Sequence, residues 1–245
     1  MNGFGAIATC VRVCCPSSAT MFDICAFTVR SKRQCPTSLS GAGCLVPHSG
    51  GMKIDSGEMA AGVTLRPLGV GDAGRLAEAY VVNRGHLAPW EPVRPDSFFT
   101  PDGQRERIEG LLRQRDEGAA VPWVFEEAGG RIVGAITLTG ITRGPFCSAH
   151  LGYWVAADRQ GRGLASAAVS RVCGLARDVV GLHRIEASTR VENTGSQRVL
   201  EKCGFELIGT APKYLHINGR WRDSRLFQRI LHDEDPALWN APERR

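Results

Sequence analysis

The sequence predicts one α/β domain over residues 62–236, a mixed and mostly antiparallel sheet with helices on both faces. Three observations predict it. Strand-like and amphipathic helical runs alternate from Val63 onward, in the order β-α-α-β-β-β-α-β-α-β-β. The last two strand-like runs meet at Asn218-Gly219, a two-residue hairpin signal. Between Leu151 and Ala165 a strand passes through a glycine-containing turn directly into a helix.

Taken in order, Val63-Thr64-Leu65-Arg66-Pro67-Leu68 reads as a short strand closed by proline. Asp72 stands where a cap belongs, before a helix that carries Leu76, Ala77, Ala79 and Tyr80 on one side. Pro89, Pro92 and Pro95 break the chain into a loop around Trp90 and Glu91. A polar helix follows from about Asp102 to Asp116, with Ile108, Leu111 and Leu112 as its buried stripe. Trp123–Glu127, Ile132–Thr139 and Ala149–Val155 are strand-like, and Gly129-Gly130 turns the first into the second. Leu164, Ala168, Val172, Leu175 and Val179 recur at helical spacing. Arg184–Thr189 is a strand, and Asn193–Lys202 a short helix ended by Gly204. Leu207–Ile217 and Arg220–Leu231 make the final hairpin.

Residues 1–61 lack sustained periodicity and are expected to be a disordered or non-native extension, with Met52 or Met59 as an alternative start and a transit peptide as a second reading. Residues 237–245 are expected to be a tail. The net charge of +5 does not point to nucleic acid: within residues 1–54 Arg12, Arg30, Lys32, Arg33 and Lys53 face only Asp23, and the remaining 191 residues are nearly balanced. No apolar run approaches the roughly 18 residues of a membrane span. Six cysteines precede residue 45 without a C-x-x-C pair, so no zinc site is expected, and no secretory signal supports a disulfide framework. Cys147, Cys173 and Cys203 read as small buried hydrophobes. These features together fit a reducing, cytoplasmic setting.

Chemistry concentrates in two places. Tyr153-Trp154-Val155 runs into Arg159-Gln160-Gly161-Arg162-Gly163-Leu164-Ala165, a strand–turn–helix junction. The first amides of such a helix are unpaired and its dipole is positive there, which suits a pyrophosphate. Arg159 and Arg162 can add charge at its rim. The second place is Asn193-x-x-Ser196, at the start of the next helix. Asn193 alone reads as an N-cap; with Ser196 it can also bond a ligand amide while the serine reaches a thiol.

Gln160-x-x-Gly163-x-Ala165 resembles the acyl-CoA loop of the GCN5-related N-acetyltransferase (GNAT) family. Asn193-x-x-Ser196 with Glu201-Lys202-x-Gly204-Phe205 is similar to the next motif of its RimJ/RimL-like ribosomal-protein-alanine branch. Asn83-Arg84-x-His86-Leu87-x-Pro89-Trp90-Glu91-Pro92-Val93 and Lys213-Tyr214-Leu215-x-Ile217-x-Gly219-x-Trp221-Arg222-Asp223 resemble that branch's substrate-side segments.

The resemblance implies a single GNAT-like domain that moves an acetyl group from acetyl-CoA, without a metal, to the N-terminal amine of a protein, a ribosomal protein being the expected partner. It implies no nucleic-acid or membrane partner and a monomer or homodimer. Acetyl-CoA would lie where the strands of residues 149–155 and 184–189 splay, with its pyrophosphate on Gln160–Ala165. A backbone N–H near Tyr153–Val155 would stabilise the oxyanion, Asn193 would bind the pantetheine arm and Ser196 the departing sulfur. Trp90, Glu91 and Trp221 would contact the acceptor, and Tyr214 would join the catalytic group.

Relatives carry an acid before that tyrosine, whereas this chain has Lys213. Either Glu91 takes the proton, or little base is needed because an α-amine with a pKa of about 7.7–8.0 is partly neutral near pH 7. A small-molecule amine as acceptor, and a non-catalytic acyl-CoA-binding module, stay open as alternatives.

Overall fold

The structure, a computed structural model, describes residues 56–59 and 62–235. The expected extension and tail otherwise lie outside the described residues. The sheet begins upstream of the expected boundary at residue 62, because β1 (Gly57–Glu58) pairs with β2 (Val63–Pro67). There follow α1 (Ala73–Val82), α2 (Arg84–Leu87), α3 (Pro101–Asp116), β3 (Ala120–Glu127), β4 (Ile132–Thr142), β5 (Ser148–Val155), α4 (Leu164–Leu175), β6 (Arg184–Arg190), α5 (Thr194–Lys202), β7 (Glu206–Ile217) and β8 (Arg220–Ile230). The strands form one eight-stranded sheet in the order β1-β2-β3-β4-β5-β6-β8-β7. Among the described strands only β5–β6 is parallel; their crossover runs through α4, as a parallel neighbour requires.

Strand alternation divides the core in two. Trp123, Phe125, Val133, Ile136, Leu138 and Leu151 turn to one face and pack with Leu164, Ala168, Val169 and Val172 of α4 and Leu200 of α5. Val124 and Ile132 turn to the other face and meet Leu76 and Tyr80 of α1, Phe98, and Ile108 of α3. β3 is therefore buried on both sides, and each of its large side chains contributes about 1.5–3 kcal/mol. Cys147, Cys173 and Cys203 are buried and free, as expected.

Two expectations are corrected. Asp72 sits before α1 but makes no side-chain cap to that helix. Its nearly buried carboxylate instead accepts from Arg66 at 2.7 and 2.8 Å, Arg75 at 2.6 Å and the Gly69 N–H at 2.9 Å. Glu126 of β3 takes the same two arginines, so the cluster ties α1 to β2 and β3. Burial alone would push the Asp72 carboxyl up; the Arg66 bonds and the Gly69 N–H outweigh it and hold the group below the ordinary carboxylate range. Second, Val179 is 40% exposed and Val180 is buried. A π-helical turn at Ala176–Val180 shifts the phase of the stripe after Leu175.

The β7–β8 hairpin turns through Asn218 and Gly219 with φ of 46° and 73°, as that dipeptide favours. β7 bulges between Ala211 and Leu215. There Lys213 adopts a φ of 49°, and its N–H donates to the Asp223 carboxylate at 2.8 Å.

Candidate active site

The parallel ladder between β5 and β6 is short. It joins Ser148 to Arg184, Ala149 to Ile185 and His150 to Glu186, and then stops. Beyond it β5 stays bonded to β4 as far as Val155, and β6 to β8 as far as Arg190. The strands fork, as expected for residues 149–155 and 184–189. A cleft of about 590 Å³ occupies the fork, lined by Leu151–Val155 on one side and Ala187–Arg190 on the other.

At one end the cleft meets the start of α4, where Arg159, Gln160, Gly161, Gly163, Leu164 and Ala165 line it and Arg162 does not. Gly163 is the N-cap, with φ 75° and no side-chain cap bond, so the first amides of α4 face the cleft without a protein acceptor from the cap. A Cβ on Gly163 would meet nothing within 4 Å, so the left-handed backbone rather than space calls for glycine. The Arg159 guanidinium is already shared between Glu127 and Asp158. The charge still available comes from Arg198 and Lys202 of α5, both exposed and both lining the cleft. Sequence reasoning assigned no role to Arg198 and named Lys202 only as part of a motif, since basic residues four apart on an exposed helix face look like ordinary solvated charge. His86, quoted only within the substrate-side segment, has its Nε2 3.1 Å from Gln160 Nε2 and links α2 to this loop.

In the middle, Asn193 does double duty. Its Oδ1 accepts from the Ser196 N–H at 3.1 Å and caps α5, leaving the amide's own N–H donors for a ligand. The Ser196 Oγ lies 2.8 Å from the Tyr153 hydroxyl. Burial pushes the Tyr153 phenol up to about 12, although the Ser196 bond pulls it down.

At the far end, the loop carrying Trp90 and Glu91 is pinned over the tip of the fork. The Asn218 N–H donates to the Glu91 carbonyl at 3.0 Å, and Arg190 donates to the Pro89 carbonyl at 2.5 Å. The same guanidinium stands 5.4 Å from the Trp90 ring centroid. Both Trp90 and Glu91 line the cleft. The Glu91 side chain is 22% exposed and lies 3.7 Å from Arg94. Burial raises its pKa above the usual value, with Arg94 and Arg107 opposing.

Leu215, Ile217 and Ser224 line the cleft from the hairpin; Tyr214 and Trp221 do not. Neighbours on a strand point to opposite faces. His216, between Leu215 and Ile217, is paired in register with Trp221, and the two rings stack edge to face at 5.4 Å away from the cleft. Burial raises the Tyr214 phenol, with the charge of Glu186 adding to it. Two buried hydroxyls in the cleft wall, on Thr189 and Ser224, have no hydrogen-bond partner among the described residues. No group of three potential metal ligands gathers among the described residues, and no helix there is long and apolar enough to cross a membrane.

The family profile described as an acetyltransferase (GNAT) domain matches residues 63–206. The chain belongs to the GNAT acetyltransferase family. The Escherichia coli [ribosomal protein uS5]-alanine N-acetyltransferase is 35% identical, over 68% of this chain and 86% of its own. The crystal structure of the ribosomal-protein-S5-alanine acetyltransferase from Vibrio fischeri superposes with a TM-score of 0.70 at 36% identity, covering 73% of this chain and 98% of that one. Mycobacterium smegmatis RimJ in complex with CoA-disulfide gives 0.68 at 34% identity, with 71% and 86% covered. The protein is thus an acyl-CoA-dependent N-acetyltransferase, and the open start of α4, the Asn193 amide and the Ser196 hydroxyl along one cleft fit a CoA thioester.

Proposed function

We propose that this acetyltransferase modifies the N-terminal α-amine of a protein, with a ribosomal protein that begins with alanine as its acceptor, in the cytoplasm where ribosomes are built. The observation that carries the reading is the forked sheet, whose cleft runs without interruption from the start of α4, past Ser196, to Glu91 and Trp90. One continuous cleft suits a direct transfer, with the two substrates meeting within it.

In this reading the amides of Gln160–Ala165 hold the pyrophosphate, with Arg198 and Lys202 nearby. The free N–H donors of Asn193 hold the pantetheine arm, and Ser196 bonds the departing sulfur. A backbone N–H along Tyr153–Val155 stabilises the oxyanion. Burial raises the Glu91 carboxyl, which makes it a stronger proton acceptor than an exposed glutamate. An α-amine, at about 7.7–8.0, is a better nucleophile there than a lysine side chain at about 10.4.

Charge argues against a polyamine. Glu91 is the one acid among the cleft-lining residues, and it lies beside Arg94 with Arg190 close to Trp90. A polycation would find no acidic tract. The relatives at 35–36% identity that are named for ribosomal alanine support the same reading, against 28% for a spermidine acetyltransferase.

The test is thiol release from acetyl-CoA with a panel of N-terminal peptides, polyamines and amino-acid derivatives, paired with a comparison of protein N-termini in cells with and without the protein. Turnover led by alanine-starting peptides is the expected result. A polyamine or free amino-acid derivative as the best acceptor would overturn the reading.

A further inference from the structure

Ser196 poses a geometric question on which its hydroxyl neighbour bears. A serine hydroxyl carries one proton on a free rotor. To stabilise a leaving thiolate it must aim that proton into the cleft, and nothing about the helix start dictates this. The Ser196 N–H is already committed to Asn193 Oδ1 at 3.1 Å, which fixes the backbone but leaves the hydroxyl free to turn. The group that meets its oxygen is the Tyr153 hydroxyl on β5, 2.8 Å from Oγ, where the geometry allows either hydroxyl to donate, and 3.3 Å from the Ser196 carbonyl.

We propose that Tyr153 is the positioning residue for Ser196: by donating to the serine oxygen, it turns the serine proton toward the sulfur of the departing thiol. The inference rests on the reading that Ser196 faces that sulfur. Tyr153 reaches the serine from across the fork, because β5 forms one wall and the start of α5 stands on the other. Both residues line the cleft.

The phenol orients without giving up its proton. Burial holds it at about 12, so it stays a donor throughout the working range of pH. A thiol near 8.5 is the much stronger acid, so transfer from tyrosine to thiolate runs uphill by several pKa units. What Tyr153 supplies is direction, and a chain of two hydroxyls in which the first polarises the second.

The test is a double-mutant cycle of Tyr153→Phe and Ser196→Ala, with thiol release measured on an alanine-starting peptide. Tyr153→Phe keeps the ring and its packing. It should lower kcat about tenfold, the loss expected for weakening one hydrogen bond to a charged leaving group. KM for acetyl-CoA and the melting temperature should stay as in the parent. In the Ser196→Ala background the same change should cost nothing further.

An equal cost in both backgrounds, a raised KM for acetyl-CoA with kcat preserved, or no effect in the parent would overturn the inference while leaving the enzyme's function intact. A parent protein that releases thiol with no amine in the panel would overturn the reading of the cleft and this inference with it.

Discussion

Glu91→Gln isolates the proton affinity of one side chain. The substitution preserves volume and leaves the bond from the Asn218 N–H to the residue-91 carbonyl in place, so the acceptor loop stays pinned. If Glu91 takes the proton, kcat/KM falls about 10²-fold, or about 2.7 kcal/mol, the lower end for general-base catalysis. Acetyl-CoA affinity should not change. Burial raises the carboxyl, with Arg94 and Arg107 opposing, so the acid limb of the parent's pH profile should lie above the ordinary glutamate range and vanish in the variant. Stability moves the opposite way. A carboxyl whose folded pKa is raised leaves stability full below the unfolded pKa, and some is lost as pH rises through the folded value. Glutamine has no such loss, so the variant should match the parent in acid and melt higher above neutrality. The assay is thiol release from about pH 6 to 9 with one peptide acceptor, alongside melting over a wider range. A variant with unchanged rate and profile would remove Glu91 from the mechanism and leave the amine's own neutral fraction, rising until about pH 8, as the better account.

Gly163→Asp should stay folded, since a Cβ there meets nothing within 4 Å and the positive φ costs about 1–2 kcal/mol. Its carboxylate would repel the pyrophosphate by about 4 kcal/mol at 4 Å and an effective dielectric near 20, so calorimetry should find at least about a hundredfold loss of acetyl-CoA affinity; near-parental binding would mean the phosphates lie elsewhere. Asp72→Asn should cost about 2–3 kcal/mol in urea unfolding, less than the roughly 3–5 for a fully buried pair because Arg66 and Arg75 keep Glu126. The stability that Asp72 adds is present above its unfolded pKa and is lost as pH falls through the depressed folded value, so the variant should lack that acid-sensitive step. Removing residues 1–54 should leave melting and acetyl-CoA affinity unchanged, because the described sheet starts at Gly57; loss of either would tie that segment to the domain.

Apart from β1 and the one-turn α2, the strands and the order of elements were legible because period-2 and period-3.6 patterns survive in single residues: Trp123 and Val124 point to opposite cores, and Leu164 and Ala168 to one. The Gly163 junction and the Asn193 cap were legible because local backbone chemistry writes them. What was not legible depends on partners far along the chain. Asp72 looked like a cap until Arg66, set on β2 and also tied to Glu126 of β3, claimed it together with Arg75. Val179 lost its place through one widened turn. Tyr214 and Trp221 belonged to the right hairpin but do not line the cleft, Trp221 by its register against His216 and Tyr214 within a bulge that spacing alone does not reveal. Tyr153 was legible as a wall of the cofactor site, but the reach of its hydroxyl across the fork to Ser196 was not.

The early end of the β5–β6 ladder has a consequence for how the protein avoids its neighbours. Unpaired strand edges ordinarily recruit other chains and are blunted by charge, proline or a covering loop. Here the inner edges beyond His150 and Glu186 face each other across a wedge, with the pinned Trp90–Glu91 loop over its tip. Another sheet is too thick to enter such a wedge. A single extended molecule with amide groups along its length is thinner, so the hydrogen-bonding capacity left open by the fork faces an inner cleft and a covering loop in place of a free outer edge.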